Sequence, residues 1–246
     1  MRKSPVSRRD RPAKPPLSRE GVIAVALRVM RDEGLEKATM RRIAAELDTG
    51  PASLYVYVEN TAELHGALLD ELLRDLPPHD DPVDLLSAYT MMLNRYPGLA
   101  RSILLLRPAG PRYLRLIDTL LGLLHDNGVP PTQAAWGVDV LLQMATASAA
   151  EHGSEPRPAD GRQAGHQQIE AVREADPADF PNVGRVRDAL FSGTGGQRQR
   201  WAFAALLAGI AATPPPAPIP PAAATPPPAA IPPPAPTLPA AATPPA

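Results

Sequence analysis

Between Arg19 and Leu73 apolar residues recur at helical spacing in four runs, each broken by a turn signal. Ile23, Ala26, Leu27 and Met30 form an i, i+3, i+4, i+7 face and predict a helix over residues 19–33, capped by Ser18 and ended by Gly34. Thr39 can cap a second helix carrying Ile43, Ala44 and Leu47, which Asp48-Thr49-Gly50 interrupts before Pro51 opens a third, ending in Leu54-Tyr55-Val56-Tyr57. Asn60 with Glu63 makes a capping-box-like start for a fourth, whose stripe of Leu64, Ala67, Leu68 and Leu72 runs until Pro77-Pro78 stops it. Three short helices and a longer one joined by tight turns make a trihelical unit with a connector. Within it, residues 39–57 have the spacing of a helix-turn-helix.

After Asp80-Asp81-Pro82 the helices become longer and more apolar. The pattern predicts them over 83–95, 99–106, 111–126, 131–151 and 197–212, with mobile breaks at 152–168 and 192–196. No run alternates with period two for long enough to build a sheet, so the chain is expected to be all-α. Segments 131–151 and 197–212 are rich in Ala and Gly, which permit close helix approach. Two such helices from each of two copies would bury one another in a four-helix dimer interface; the same composition also fits core helices of a monomer.

Composition changes this picture at the ends. Of the 246 residues, those from Thr213 onward are only Pro, Ala, Thr, Ile and Leu, which predicts a solvated, partly polyproline-II tail over 213–246. The absence of cysteine excludes disulfides and thiolate metal sites. The first residues lack the apolar stretch of a signal sequence and no segment reaches the length needed to span a bilayer, so a cytoplasmic location with no membrane partner is expected.

Net charge is close to zero, but it is unevenly distributed. Residues 1–20 carry seven Lys/Arg against two acids, a balance of plus five, whereas residues 21–75 carry six against ten, a balance of minus four. A segment that reads nucleic acid here would depend on a few placed groups and on the flexible basic arm, 1–17, for phosphate affinity. Arg41 and Arg42 stand in the opening turn of their helix, where the macrodipole disfavours cations. An anion outside the chain would account for both.

Catalysis finds no support. The five histidines have no Cys to pair with, and no HExxH, GxSxG or glycine-rich phosphate loop occurs. Ser102 and Ser148 lie in helical segments without an evident neighbouring base, and each His reads as a surface or capping residue. No catalytic residue, metal or cofactor is expected.

The stretch TMRRIAAELDTGPASLYVYVENTAELHGALLDEL resembles the DNA-binding domain of the tetracycline-repressor (TetR) family of bacterial regulators, above all in Thr39–Ala44 and Leu54–Asn60. RPAGPRYLRLID and FPNVGRVRDALFSGTGG resemble the C-terminal domain of the branch nearest the tetracycline repressor. The resemblance implies a homodimer in which each helix-turn-helix, homeodomain-like domain (18–76) places its third helix in the major groove of half a palindromic operator. A larger helical domain (82–212) would hold the dimer, through 131–151 and 197–212, and a cavity for a small-molecule effector that releases the repressor.

On this reading the DNA-binding residues are Arg41, Arg42, Thr49, Pro51, Ala52, Ser53, Tyr55, Tyr57 and Thr61. Arginine suits bidentate reading of guanine, and the tyrosine hydroxyls suit phosphates; core packing is the alternative for both tyrosines. Asp48 stands where the family has a turn glycine, Gly50 where a serine cap is common, and Thr61 where a lysine opens the fourth helix. Candidate ligand-lining residues are Met91, Met92, Arg95, Ile103, Arg107, Leu120, His125 and Met144, each of which also fits a structural role. RYPGLARSILLLRP contains neither His nor Asn, so a metal–tetracycline complex is not implied. Two rival functions remain: a scaffold using the proline tail, and a small-molecule-binding protein that does not bind DNA.

Overall fold

The computed structural model describes residues 16–153 and 159–216, so the arm up to residue 15 and the tail beyond 216 lie outside the described residues. Among the described residues the chain forms eleven α-helices and no strand. The N-terminal unit comprises α1 (Arg19–Glu33), α2 (Met40–Glu46), α3 (Pro51–Leu54) and α4 (Thr61–Leu72). The C-terminal body comprises α5 (Pro82–Asn94), α6 (Pro97–Leu105), α7 (Pro111–Asp126), α8 (Pro131–His152), α9 (Ala159–Glu174), α10 (Pro181–Leu190) and α11 (Gly195–Ala212).

Local signals set most boundaries. The Ser18 hydroxyl accepts from the Gly21 amide at 3.1 Å to open α1, and Gly34 closes it at φ +94°. Thr39 caps α2 by accepting from the Arg42 amide at 3.2 Å. Asp48 takes φ 50° in the turn that follows, a conformation Asp adopts more readily than most residues. The Asn60 side chain caps α4 by accepting from the Glu63 amide at 2.8 Å, but Glu63 reaches back to the Glu59 amide (2.6 Å) rather than to that of Asn60. Buried Val22, Ala26, Met30, Ile43, Leu54, Val58, Leu64 and Leu68 form the core of this unit.

In the C-terminal body α8 is the central element, packed against α5, α6, α7 and α11. Leu141, Leu142, Ala145 and Ala149 face inward, and the buried Tyr89 hydroxyl meets that of Thr146 at 3.2 Å. Desolvation pushes the Tyr89 phenol well above its ordinary pKa, which keeps it a neutral hydrogen-bonding group. Close packing of α8 on α11 depends on Gly137: a Cβ there would stand 2.8 Å from Ile210. Gln133 donates to the carbonyls of Ile210 (3.2 Å) and Ala211 (2.9 Å), supplying donors that the end of α11 lacks.

Three expectations need correction. The third helix regularises only Pro51–Leu54, and Tyr55–Tyr57 follow as a turn tied back by the Tyr57 and Val58 amides to the Leu54 carbonyl. The break expected over 152–168 is mostly helix, since α9 begins at Ala159; Gly161, Gly165 and the weak apolar pattern hid it. Phe191–Thr194 is the second break, because Gly195 and Gly196 already belong to α11, which Thr194 and Gln197 open with a reciprocal capping box. The helix α10, opened by Pro181, was not anticipated as an element.

Candidate nucleic-acid interface and interdomain seam

The two adjacent arginines of α2 have different surroundings. Arg42 donates to Glu33 at 2.8 Å and also pairs with Glu46, and Glu46 receives Arg28 at 2.6 Å. The Glu33 hydrogen bond raises the Arg42 pKa, while Glu46 is held below the ordinary carboxylate range, first by Arg28 and then by Arg42. The anion expected outside the chain is therefore inside it for Arg42, whose side chain ties α2 to α1. Arg41 is exposed and pairs with no carboxylate among the described residues.

Gly50, Pro51, Ala52 and Ser53 are exposed at the start of α3, Thr49 is half-buried in the turn before it, and Thr61 is exposed at the start of α4. No side chain caps α3, as a glycine cap dictates. The two tyrosines differ: Tyr55 is 51% exposed, whereas Tyr57 is half-buried and packs against the core, the alternative role left open for both. Val56, not singled out in the sequence, is 82% exposed in the same turn. An apolar group so placed can meet a thymine methyl.

The N-terminal unit meets the C-terminal body through α4. Buried Asp70 accepts the backbone amides of Arg112 (2.7 Å) and Tyr113 (3.0 Å), and the Arg112 guanidinium lies 3.1 Å from its second oxygen. Asp70 thus supplies from α4 the cap that α7 cannot obtain from Gly110. A Cβ at Gly110 would fall 2.2 Å from an Asp70 oxygen. Nearer the start of α4, His65 Nδ1 and Ser102 Oγ of α6 are 2.6 Å apart. Desolvation lowers the His65 pKa, and Ser102 does have a base beside it, contrary to the sequence reading. Their separation of 37 positions conceals that contact from any local pattern.

The structure separates the candidate ligand residues. Met91, Met92 and Arg95 line one cleft and Arg107 another, at the α6–α7 loop. Ile103 and Leu120 are core residues, His125 is exposed in the last turn of α7, and Met144 is exposed on the outer face of α8. Among the described residues no three His, Asp or Glu side chains are grouped to hold a metal, and no helix is long and apolar enough to cross a membrane.

A short helix-turn-helix presenting an exposed arginine that has no carboxylate partner among the described residues, mounted on a larger helical body through a buried carboxylate, defines a helix-turn-helix regulator. Residues 22–68 match the family described as bacterial regulatory proteins, tetR family, and residues 86–213 match the tetracyclin repressor-like C-terminal domain. The chain belongs to the TetR family of transcriptional regulators.

Among its relatives, a transcription regulator of Streptomyces coelicolor is 48% identical, with a TM-score of 0.70 over 84% of this chain and 100% of that one. ActR of Streptomyces coelicolor, solved in complex with actinorhodin, is 27% identical, with a TM-score of 0.66 over 79% of this chain and 95% of its own. The HTH-type transcriptional repressor DrrR1 of Streptomyces coeruleorubidus is 44% identical over 78 residues, which span 32% of this chain and 28% of that repressor.

Proposed function

We propose that the protein is a homodimeric repressor that binds a palindromic operator and is released from it by a small molecule held in the C-terminal body. The observation that carries the DNA-reading role is the contrast between the two arginines: Arg42 is engaged by Glu33 and Glu46, and Arg41 is left exposed beside the accessible start of α3. Arg41 reads a base edge or phosphate, Pro51, Ala52, Ser53 and Val56 approach the groove, and Tyr55 reaches the backbone. The basic arm adds phosphate contacts without sequence information.

Dimerisation is supported by apolar surface that one copy leaves uncovered. On α8, Trp136, Val140 and Met144 are exposed at four-residue intervals, and on the adjacent α11 Trp201, Ala205, Ala208 and Ala212 are exposed along one side. Large side chains set against small ones are what two antiparallel copies need to interdigitate. Effector control follows the precedent of ActR, solved with actinorhodin bound. A ligand dissociates the complex only by binding the DNA-incompatible arrangement more tightly.

Fluorescence anisotropy with DNA from the region upstream of the gene tests the proposal. Arg41→Ala is expected to lower affinity about tenfold or more, since one good bidentate pair is worth roughly 1–3 kcal/mol. Arg42→Ala should change operator affinity much less. Absence of salt-dependent binding to any palindromic sequence would refute the proposal.

A further inference from the structure

A cleft of about 530 Å3 lies where the last turn of α1 and the end of α4 meet α5. Its apolar wall is Leu72, Leu76, Met91 and Met92, and its charged rim is Arg31, Asp75 and Arg95. Three features distinguish it from a packing defect. Met91 is 66% exposed although it stands on a helix that otherwise contributes to the core, so the wall is apolar and open to solvent. His79, which also lines the cleft, has its Nε2 buried with no hydrogen-bond partner among the described residues. A buried polar atom in that state is costly unless something supplies the missing partner. Arg95 lies 5.9 Å from the centroid of the Tyr96 ring, and among the described residues the one carboxylate paired with Arg31 is the exposed Asp75, at 4.0 Å. The rim thus carries two guanidinium groups against one carboxylate.

We infer that this cleft is a binding site for a small aromatic molecule carrying one acidic group, with its rings against Met91, Met92 and Tyr96, an oxygen on His79 Nε2 and its negative charge toward Arg31 and Arg95. The volume suits two or three fused rings, and methionine side chains adapt to flat ligands without a preformed mould. The occupant bridges α1 of the DNA-binding unit and α5 of the C-terminal body. It therefore reports on their relative position even where it is not the effector proposed above, and its binding does not depend on that proposal.

The probe is 3-hydroxy-2-naphthoate, a fluorescent fused ring bearing one carboxylate and one phenol, titrated into the full-length protein. Saturable binding is expected, weakened at least tenfold by Met92→Trp, which fills the cleft, and by His79→Leu, which removes the polar partner. The neutral amide of the probe should bind at least tenfold more weakly than the acid. Circular dichroism melts identify a variant that fails to fold; Met92→Ala and His79→Gln then replace it, each expected to weaken binding at least threefold. No saturable binding, equal binding by folded variants, or equal binding of acid and amide would overturn the inference. Operator binding by the unsubstituted protein, measured in parallel, distinguishes this failure from failure of the repressor reading.

Discussion

Asp70 concentrates more of the architecture in one side chain than any other polar residue described. Its carboxylate is nearly inaccessible, yet it is fully occupied by two amides from the first turn of α7 and by the Arg112 guanidinium. Anions are favoured at a helix N-terminus, and removing one member of such a group leaves the others buried and unpaired. Asp70→Ala is expected to cost roughly 3 kcal/mol, by analogy with broken buried pairs, measured by urea unfolding. Asp70→Asn should cost less, because its carbonyl oxygen can still accept from an amide. Equal losses would indicate that charge, rather than acceptance of the two amides, dominates. Arg42 is a weaker case: its partners are exposed, so water screens both pairs and Arg42→Ala should leave the urea midpoint almost unchanged.

At the scale of elements, α4 is the helix of the N-terminal unit that, among the described residues, packs against both α6 and α7. The α4–α6 contact includes half-buried His65 against Ser102, and burial lowers the His65 pKa below its usual 6.5. In the folded protein His65 then binds protons less readily than in the unfolded chain. Its contribution to stability is complete above pH 6.5 and is lost as pH falls through the lowered folded-state value. Thermal melts from pH 7.5 to 5.0 should show a decline in Tm that is smaller in His65→Gln; an unchanged decline would assign it to other groups.

Much of the N-terminal unit was legible in the sequence because its determinants are local. Ser18, Gly34, Thr39, Pro51 and Asn60 act within four residues of their own position. The seam was not legible in the same way. Asp70 and Arg112 lie 42 residues apart, and the Arg42–Glu33 pair joins two helices whose relative placement no periodicity records. The helix α9 was missed for a different reason, since its glycines and polar residues give a surface helix little apolar signal.

For the whole molecule, the uncovered apolar surface is the unresolved demand. Trp136 is 58% and Trp201 74% exposed, and α10 buries none of its residues in a single copy. Tryptophans at the centre of an interface are frequent hot spots worth about 2 kcal/mol or more. For the proposed homodimer, Trp201→Lys should raise the dissociation constant at least about thirtyfold by sedimentation analysis, with helicity retained. A dimer of unchanged affinity would place the interface elsewhere. The proposed operator binding assigns phosphate contacts to residues 2–15: deleting them should weaken that binding and flatten its dependence on salt, because fewer phosphates are neutralised. An unaltered slope would remove the arm from the interface.

The tight meeting of Asp70 and Gly110 also constrains how the molecule can be rebuilt. A chimera that joins this helix-turn-helix to the sensing body of a relative cuts the chain near residue 80, and so separates α4 from the loop it caps. If the incoming body carries a side chain where Gly110 stands, that side chain meets a carboxylate 2.2 Å from its Cβ; if it lacks a partner for Asp70, a buried charge is stranded. Grafts should therefore transfer Asp70, Gly110 and Arg112 as one matched set, even though they lie on opposite sides of the cut.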